Sequence, residues 1–310
     1  MLLLRHLRRV GRRFPVPVLT LGNFDGVHCG HQEILRRLVA TARRMHGTAV
    51  ALTFYPHPVA VLRPQQAPQL ITDWRARVER IAAAGVDAII VQRFTRAFSE
   101  VTAEDFVRRF VVDGLGARAV VVGYRVSFGH DRAGRADTLR SLGVKYGFAV
   151  EVVGPIEVNG MEVSSSAVRR AISGGDLERA RALLGNAPSV AGRVVHGFHR
   201  GKGLGFPTAN LRLDGVVLPP DGVYAVQAVH RRVVYQGIAN LGFNPTFQLA
   251  QRGLEVHLFD FAGDLYGQRV EIRFVQRLRG EEKFPSAAAL AAQIARDLEH
   301  ARRVLRGASQ

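Results

Sequence analysis

Cysteine occurs once in this sequence of 310 residues, at Cys29. One thiol excludes an intrachain disulfide and any cysteine-based zinc site, and it fits a protein of the reducing cytoplasm. Long apolar runs are missing as well. Met1-Leu2-Leu3-Leu4 is followed at once by Arg5, too short for the apolar core of a signal peptide. It is far short of the roughly 20 residues of a membrane-spanning helix, so no membrane partner is expected. Lysine is scarce, at Lys145, Lys202 and Lys283 alone, so arginine carries nearly all the positive charge. There is no tail of one charge sign, no internal repeat and no low-complexity tract.

What is present is a basic chain of globular composition. Lys and Arg total 43 against 26 Asp and Glu, a net charge of +17. Either a nucleic-acid surface or an enzyme of anionic substrates would account for it. The excess is spread evenly: 27 basic against 16 acidic residues up to residue 190, and 16 against 10 after it. Such a spread reads as a solvated surface, and no nucleic-acid partner is expected. Hydrophobic residues make up 47%, and the length favours two domains over one.

The first half alternates apolar runs with amphipathic segments. Residues 16–22, 49–54, 88–92, 119–123 and 149–153 read as short buried strands. Between them, 30–46, 73–84, 102–112 and 137–146 read as helices. This alternation predicts an α/β domain of βαβ units, a parallel sheet with helices on both faces. Residues 165–173 and 176–184 form two further helices, the second capped by Asp176. Asn186-Ala187-Pro188-Ser189 is the expected linker, dividing the chain into 1–186 and 187–310. Beyond it the period changes. Strands are expected at 190–196, 222–230, 232–237, 254–260 and 270–278, without intervening helices, which suggests an antiparallel barrel or sandwich. A helix over 286–305, capped by Ser286, closes the chain.

Chemistry concentrates first at Gly22-Asn23-Phe24-Asp25-Gly26-Val27-His28-Cys29-Gly30-His31. A strand ends, a glycine-containing loop follows, and a helix begins near Gly30. Backbone N–H groups at a helix start attract phosphate. His28 and His31 can donate to phosphate oxygens, and a protonated imidazole would stabilise charge on a leaving pyrophosphate. Gly30 leaves room for the phosphate to approach. These residues resemble the HxGH nucleotidyltransferase superfamily. Val163-Ser164-Ser165-Ser166-Ala167-Val168-Arg169 resembles its second signature, S-S-T-x-x-R, with Ser166 in place of Thr. Serine hydroxyls at a helix start can hold phosphates while Arg169 forks onto them.

The second half carries Gly192-Arg193-Val194-Val195-His196-Gly197-Phe198-His199-Arg200-Gly201-Lys202-Gly203-Leu204-Gly205-Phe206-Pro207-Thr208-Ala209-Asn210. Dense glycine lets backbone wrap a phosphate tail, with Arg200 and Lys202 supplying charge. No Walker pattern is present. Thr208 and Asn210 are hard oxygen donors two apart on an extended segment, so both could face one Mg²⁺. Glu255, in an apolar strand, is a candidate general base. The stretch resembles the riboflavin kinase signature, as do Gly222–Ala225, Ala239–Phe247, Asp264–Gly267 and Arg279–Phe284.

Taken with Thr53-Phe54-Tyr55-Pro56-His57-Pro58, the chain from about Leu19 to Leu305 resembles the prokaryotic bifunctional FAD synthetase family. The resemblance implies a Rossmann-like nucleotidyltransferase domain followed by an antiparallel β-barrel riboflavin-kinase domain, and two reactions, phosphorylation of riboflavin by ATP to FMN, then adenylylation of FMN to FAD with release of pyrophosphate. It implies that His28, His31 and Glu255 are catalytic. Asn23, Gly30, Ser164, Ser165, Arg169, Gly201, Lys202 and Gly203 would bind ATP phosphates, and Thr208 and Asn210 would bind Mg²⁺. Pro56, His57, Pro58, Arg125 and Phe206 would line the flavin. The family usually has Asp or Asn, then Phe, where Arg125 and Val126 stand, and often Glu where Tyr55 stands. A nucleic-acid-binding or regulatory protein on a retired flavin-enzyme scaffold is the rival reading, and the retained site residues argue against it.

Overall fold

The computed structural model describes residues 1–6, 13–196, 206–213, 215–243 and 252–307. The chain separates into two compact units, Met1–Gln69 with Trp74–Ser165, and Leu70–Asp73 with Ser166–Gln310. Among the described residues no helix is long and apolar enough to cross a membrane.

The first unit is built on six strands: β1 (Leu2–Arg5), β2 (Pro17–Leu21), β3 (Thr48–Tyr55), β4 (Ala88–Arg93), β5 (Ala119–Gly123) and β6 (Ala149–Val153). They form one parallel sheet in the order β1-β4-β3-β2-β5-β6. Its helices are α1 (Cys29–Arg44), α2 (Pro58–Leu62), α3 (Trp74–Ala83), α4 (Arg96–Ser99), α5 (Ala103–Phe106) and α6 (Ala136–Tyr146). A small hairpin, β7 (Glu157–Val158) and β8 (Met161–Glu162), follows. All of β2 is buried because helices cover both faces of the sheet. Side chains alternate between the faces with period two. Val18, Ala49, Ala51, Ala119 and Val121 meet Leu35, Leu38 and Ala42 of α1. Leu19, Leu21, Val50, Leu52, Val120 and Val122 meet Phe106, Val111, Leu139 and Leu142 on the other side.

Two expectations need correction here. Met1–Leu4 is more than a stray apolar run, because Leu2–Arg5 pairs in parallel with β4 as an edge strand. The helix expected over 102–112 starts at its Thr102 cap but widens after Phe106 into a π-type turn over Val107–Val112. The strand order reverses between β2 and β5, since the chain leaves β2 for β3 on one side and returns to β5 on the other. Ligands of open α/β sheets bind at the carboxyl ends of strands at such a switch point. Gly22 leaves β2 there and Tyr124 leaves β5 there.

The second unit holds α7 (Ser165–Ser173, from its second residue), α8 (Leu177–Leu184) and a closed antiparallel barrel. Its strands are β9 (Ser189–Val195), β10 (Ala209–Arg212), β11 (Gly222–His230), β12 (Val233–Phe243), β13 (Arg252–Leu258) and β14 (Arg269–Arg279). They close in the order β10-β13-β12-β11-β14-β9. The interior is filled by Val194, Leu211, Tyr224, Val226, Leu241, Leu254, Val256, Ile272 and Phe274. Helix α9 (Ala287–Gly307) covers part of the outside through Leu298, Ala301, Val304 and Leu305, against Ala225, Ile238 and Phe259. Ser286 Oγ accepts from Ala289 N at 3.1 Å, the expected cap. Asp176 caps α8 in the same way, through Arg179 N. Two strand expectations were short. β10 was foreseen only as an extended segment at Thr208–Asn210, and 232–237 is part of the longer β12. Gly237 and Gly242 resemble turn residues, yet a Cβ at Gly237 would lie 2.5 Å from the His257 carbonyl, so glycine there serves close strand contact.

Candidate active sites

His28 is the N-cap of α1, and its Nδ1 accepts from His31 N at 3.3 Å. The helix starts at Cys29, one residue before the sequence suggested. The two imidazoles stack, with centroids 3.7 Å apart and planes 16° from parallel. Phe24, fully buried, meets His31 edge-on at 5.2 Å. The loop before them is backbone-strained: Phe24 has φ 49°, Gly26 84° and Val27 45°. A Cβ at Gly30 would lie 3.3 Å from the His28 ring, so glycine preserves the stack. Asn23 Nδ2 lies 3.4 Å from His57 Nε2. His57 caps α2 through Nδ1, accepting from Val59 N, and Pro58 opens that helix just after Pro56. The loop after β2 and the segment after β3 thus meet at the carboxyl edge of the sheet.

Burial, then the charges of His28 and Arg77, hold the His31 imidazole well below its ordinary range. It is neutral at pH 7, so the expectation of a protonated imidazole is corrected at His31. A neutral ring still offers an N–H donor. Its buried Nδ1 has no hydrogen-bond partner in the structure.

Ser165 opens α7, and its Oγ donates to the Asp25 carbonyl at 3.2 Å. This brings the second motif onto the first loop, with half-buried Ser164 beside it. Arg169 lies one turn further along α7 and is also half-buried. Arg125 follows β5. Its guanidinium pairs with Glu162 at 2.7 Å and lies 5.3 Å from the Tyr124 ring centroid. The cation at this position is matched by an exposed carboxylate of β8.

In the barrel, Asn210 of β10, Glu255 of β13 and Asn240 of β12 are register partners across three adjacent strands. Leu254 and Val256 face the interior, so Glu255 belongs to the outer face and is half-buried. Asn210 is buried, and half-buried Thr208 lies two residues before it. His257, on the face of Glu255, bonds through Nδ1 to the Pro207 carbonyl at 2.8 Å and meets Phe206 edge-on at 6.0 Å. Phe206 and Thr208 are thereby tied to the strand of Glu255. Gly201, Lys202 and Gly203 lie outside the described residues. Among the described residues no group of three His, Cys, Asp or Glu could hold a metal.

Sequence reasoning missed Arg77, Asp25 and His257. Arg77 is fully buried, with Nη1 3.1 Å from the Asn23 carbonyl and Nη2 3.7 Å from Asp25. Its signal was there: four residues before buried Ile81, it falls on the apolar side of an amphipathic helix.

A family model for FAD synthetase matches residues 14–167, and one for riboflavin kinase matches residues 184–305. A bifunctional riboflavin kinase/FMN adenylyltransferase of Haemophilus influenzae is 38% identical over 303 residues, covering 97% of this chain and 98% of its own. One from Pseudomonas fluorescens is 40% identical over 286 residues, with 92% of each chain covered. A crystal structure from Streptococcus pneumoniae, described as a macrolide-efflux protein, superposes with a TM-score of 0.85 at 32% identity. It covers 97% of this chain and 99% of that one.

Proposed function

Because the chain belongs to the family of bifunctional riboflavin kinase/FMN adenylyltransferases, we infer that it makes FMN from riboflavin and then FAD from FMN. One observation carries this reading to particular residues. Each unit presents one polar constellation suited to phosphate chemistry, the stacked His28–His31 pair and the Asn210–Glu255–Asn240 rung. The division of labour follows, with adenylylation in residues 1–186 and phosphorylation in 187–310. ATP, riboflavin and FMN are the small-molecule partners, and the enzyme works in the cytoplasm.

In the barrel, Glu255 accepts the proton of the ribityl 5′-hydroxyl as that oxygen attacks the γ-phosphorus of ATP, and ADP leaves. Thr208 and Asn210 fit Mg²⁺. They offer hard oxygens beside the rung, and an ion that keeps substrate phosphates and water as ligands needs few protein donors. When bound there, Mg²⁺ neutralises phosphate charge. Gly201, Lys202 and Gly203 belong with the phosphates, and Phe206 with the flavin.

In the first unit, an FMN phosphate oxygen attacks the α-phosphorus of a second ATP, and the bond to the β-phosphate breaks to release pyrophosphate. The nucleophile is already an anion at pH 7, so no general base is needed. Catalysis is positioning and charge stabilisation. His28 and His31 donate to the phosphates, with Asn23, Gly30, Ser164 and Ser165, and the motif assigns Arg169 to the same phosphates. Pro56, His57, Pro58 and Arg125 line the flavin side. Chromatography of a mixture of riboflavin, ATP, Mg²⁺ and the chain tests this. FMN should appear first and FAD after it. A chain that forms no FAD from supplied FMN would overturn the adenylylation half.

A further inference from the structure

Helix α3 does something that catalysis does not yet account for. It sends two arginines, three residues apart, beneath the Gly22–His28 loop. Arg77 donates to the Asn23 carbonyl at 3.1 Å, and Arg80 donates to the Gly26 carbonyl at 3.2 Å. Thr53 Oγ1 from β3 also lies 3.4 Å from the Asn23 carbonyl, and Ser165 takes the Asp25 carbonyl. Three carbonyls of the loop are therefore held by side chains from three other elements. Between them sit Phe24, Gly26 and Val27 with positive φ. Each non-glycine residue there costs on the order of 1–2 kcal/mol and persists only when its surroundings over-determine it. Arg77 supplies much of that constraint. Asp25 stands 3.7 Å from Arg77 Nη2, and the 3.1 Å contact of Nη1 to the Asn23 carbonyl is within directed hydrogen-bond range.

We propose that Arg77, seconded by Arg80, is a positioning residue of the adenylyl-transfer site. It clamps the Asn23–Gly26 backbone so that the loop and the His28–His31 pair present their N–H donors to nucleotide phosphate. The inference rests on the reading of this site as the FMN adenylylation site. Carbonyls drawn back toward α3 do not repel the polyphosphate, and backbone N–H groups flanking positive-φ residues form concavities that take anions. The same buried cation also acts on protonation. His31 faces His28 from the loop and Arg77 from α3, with Asp25 beyond Arg77. Burial is the largest cause that holds the His31 imidazole low, His28 the next, and the fixed positive charge of Arg77 adds to them against an imidazolium.

The test uses the full chain with Arg77→Met and Arg77→Lys, measuring FMN adenylylation and, on the same preparations, riboflavin phosphorylation. Arg77→Met should lower kcat for FAD formation by about 10²-fold, the scale of a lost charge-stabilising arrangement, with KM for FMN moved far less. Phosphorylation should stay within about two-fold, since that chemistry lies in the barrel. Arg77→Lys keeps the charge but not the fork, and should recover part of the loss. The acid limb of the adenylylation pH profile should move to higher pH in Arg77→Met and stay in place in Arg77→Lys. Adenylylation at the wild-type rate with an unmoved acid limb in Arg77→Met would overturn the clamp, as would equal loss of both activities with a lower Tm. If Arg77→Met does not fold, Arg80→Gln asks the same question from a half-buried position. A several-fold fall in adenylylation alone supports the clamp, and unchanged turnover overturns it. A wild-type chain making no FAD would instead sink the reading of the site.

Discussion

Glu255 shows how much one position on a barrel strand can carry. Its neighbours Leu254 and Val256 fill the interior, and its register partners Asn210 and Asn240 are both amides. A carboxylate in register with two amide residues on the outer face has the place proposed for the general base. Glu255→Gln keeps size and hydrogen-bonding capacity but removes the base. Riboflavin phosphorylation should fall by on the order of 10²–10⁴-fold. Conversion of supplied FMN to FAD should continue, and Tm should hardly move. Normal kinase turnover in this variant would remove Glu255 from the mechanism. The histidines allow the reciprocal experiment. Changing His28 and His31 together to Ala deletes both donors and the stacked pair, so FAD formation should drop by roughly 10²-fold or more while FMN accumulates. FAD synthesis near the wild-type rate would show that the pair is a helix cap and nothing else.

At the scale of elements, α1 is anchored at its start and along its flank by different physics. Its start is the His28 cap, and its flank is a charge network in which Glu33 takes Arg36 and Arg37, and Arg37 reaches Glu151 of β6. Hydrogen bonds from Arg36 and then Arg37 lower the Glu33 carboxyl from its ordinary 4.5 to about 2. A depressed folded value means stabilisation that is full above about pH 4.5 and is lost as pH falls through 2. These pairs face water, so Glu33→Gln should cost only about 0.5 kcal/mol at pH 7. Denaturant titrations should show that difference vanish near pH 2, and a constant difference across pH would assign the effect to packing instead. The elements also mark how far the sequence alone reaches. β5 was legible with its bounds because a buried strand of a parallel sheet is a continuous apolar run, here ended by Gly123; β6 was legible too, though it is an edge strand that is only partly buried and carries Glu151. The first two residues of α7, Ser165 and Ser166, were legible as a motif because spacing encodes them. Arg77 was not, since a lone arginine in an amphipathic helix says nothing about which loop carbonyl it will meet. β10 was legible only as an extended segment because Ala209–Arg212 is four residues long and follows a glycine-rich stretch. β12 was cut short because Gly237 and Gly242 look like turns when only their backbone permissiveness is considered. The register that places Asn210 beside Glu255 depends on pairing between segments over 40 residues apart, which no local pattern carries.

For the whole molecule, the question is where one enzyme ends and the other begins. The sequence suggests the break at Asn186–Ser189, whereas the first family match ends at 167 and the second starts at 184, two residues before that linker. The physical packing draws a different line, because Leu177 of α8 belongs to the barrel core beside Val190, Tyr224 and Phe274. A short segment, Leu70–Asp73, also clusters with the barrel. Leu70 exchanges backbone hydrogen bonds with Gly215 and Val217, and Asp73 pairs with Arg269 at 2.6 Å. Two fragments separate these views. A fragment of residues 187–310 contains every residue proposed for phosphorylation, so it should convert riboflavin to FMN and make no FAD. A fragment of residues 166–310 restores α7, α8 and Leu177 to the same chemistry. Deleting a buried leucine from a core costs on the order of 2–5 kcal/mol, so the longer fragment should be more stable by about that much at equal kinase kcat. Thermal or denaturant unfolding of the two, alongside riboflavin turnover, reads both quantities. Equal stability would mean that α8 merely rests on the barrel, and the break belongs at residue 187. A longer fragment that folds but phosphorylates no riboflavin would show that the kinase site takes groups from residues 1–165.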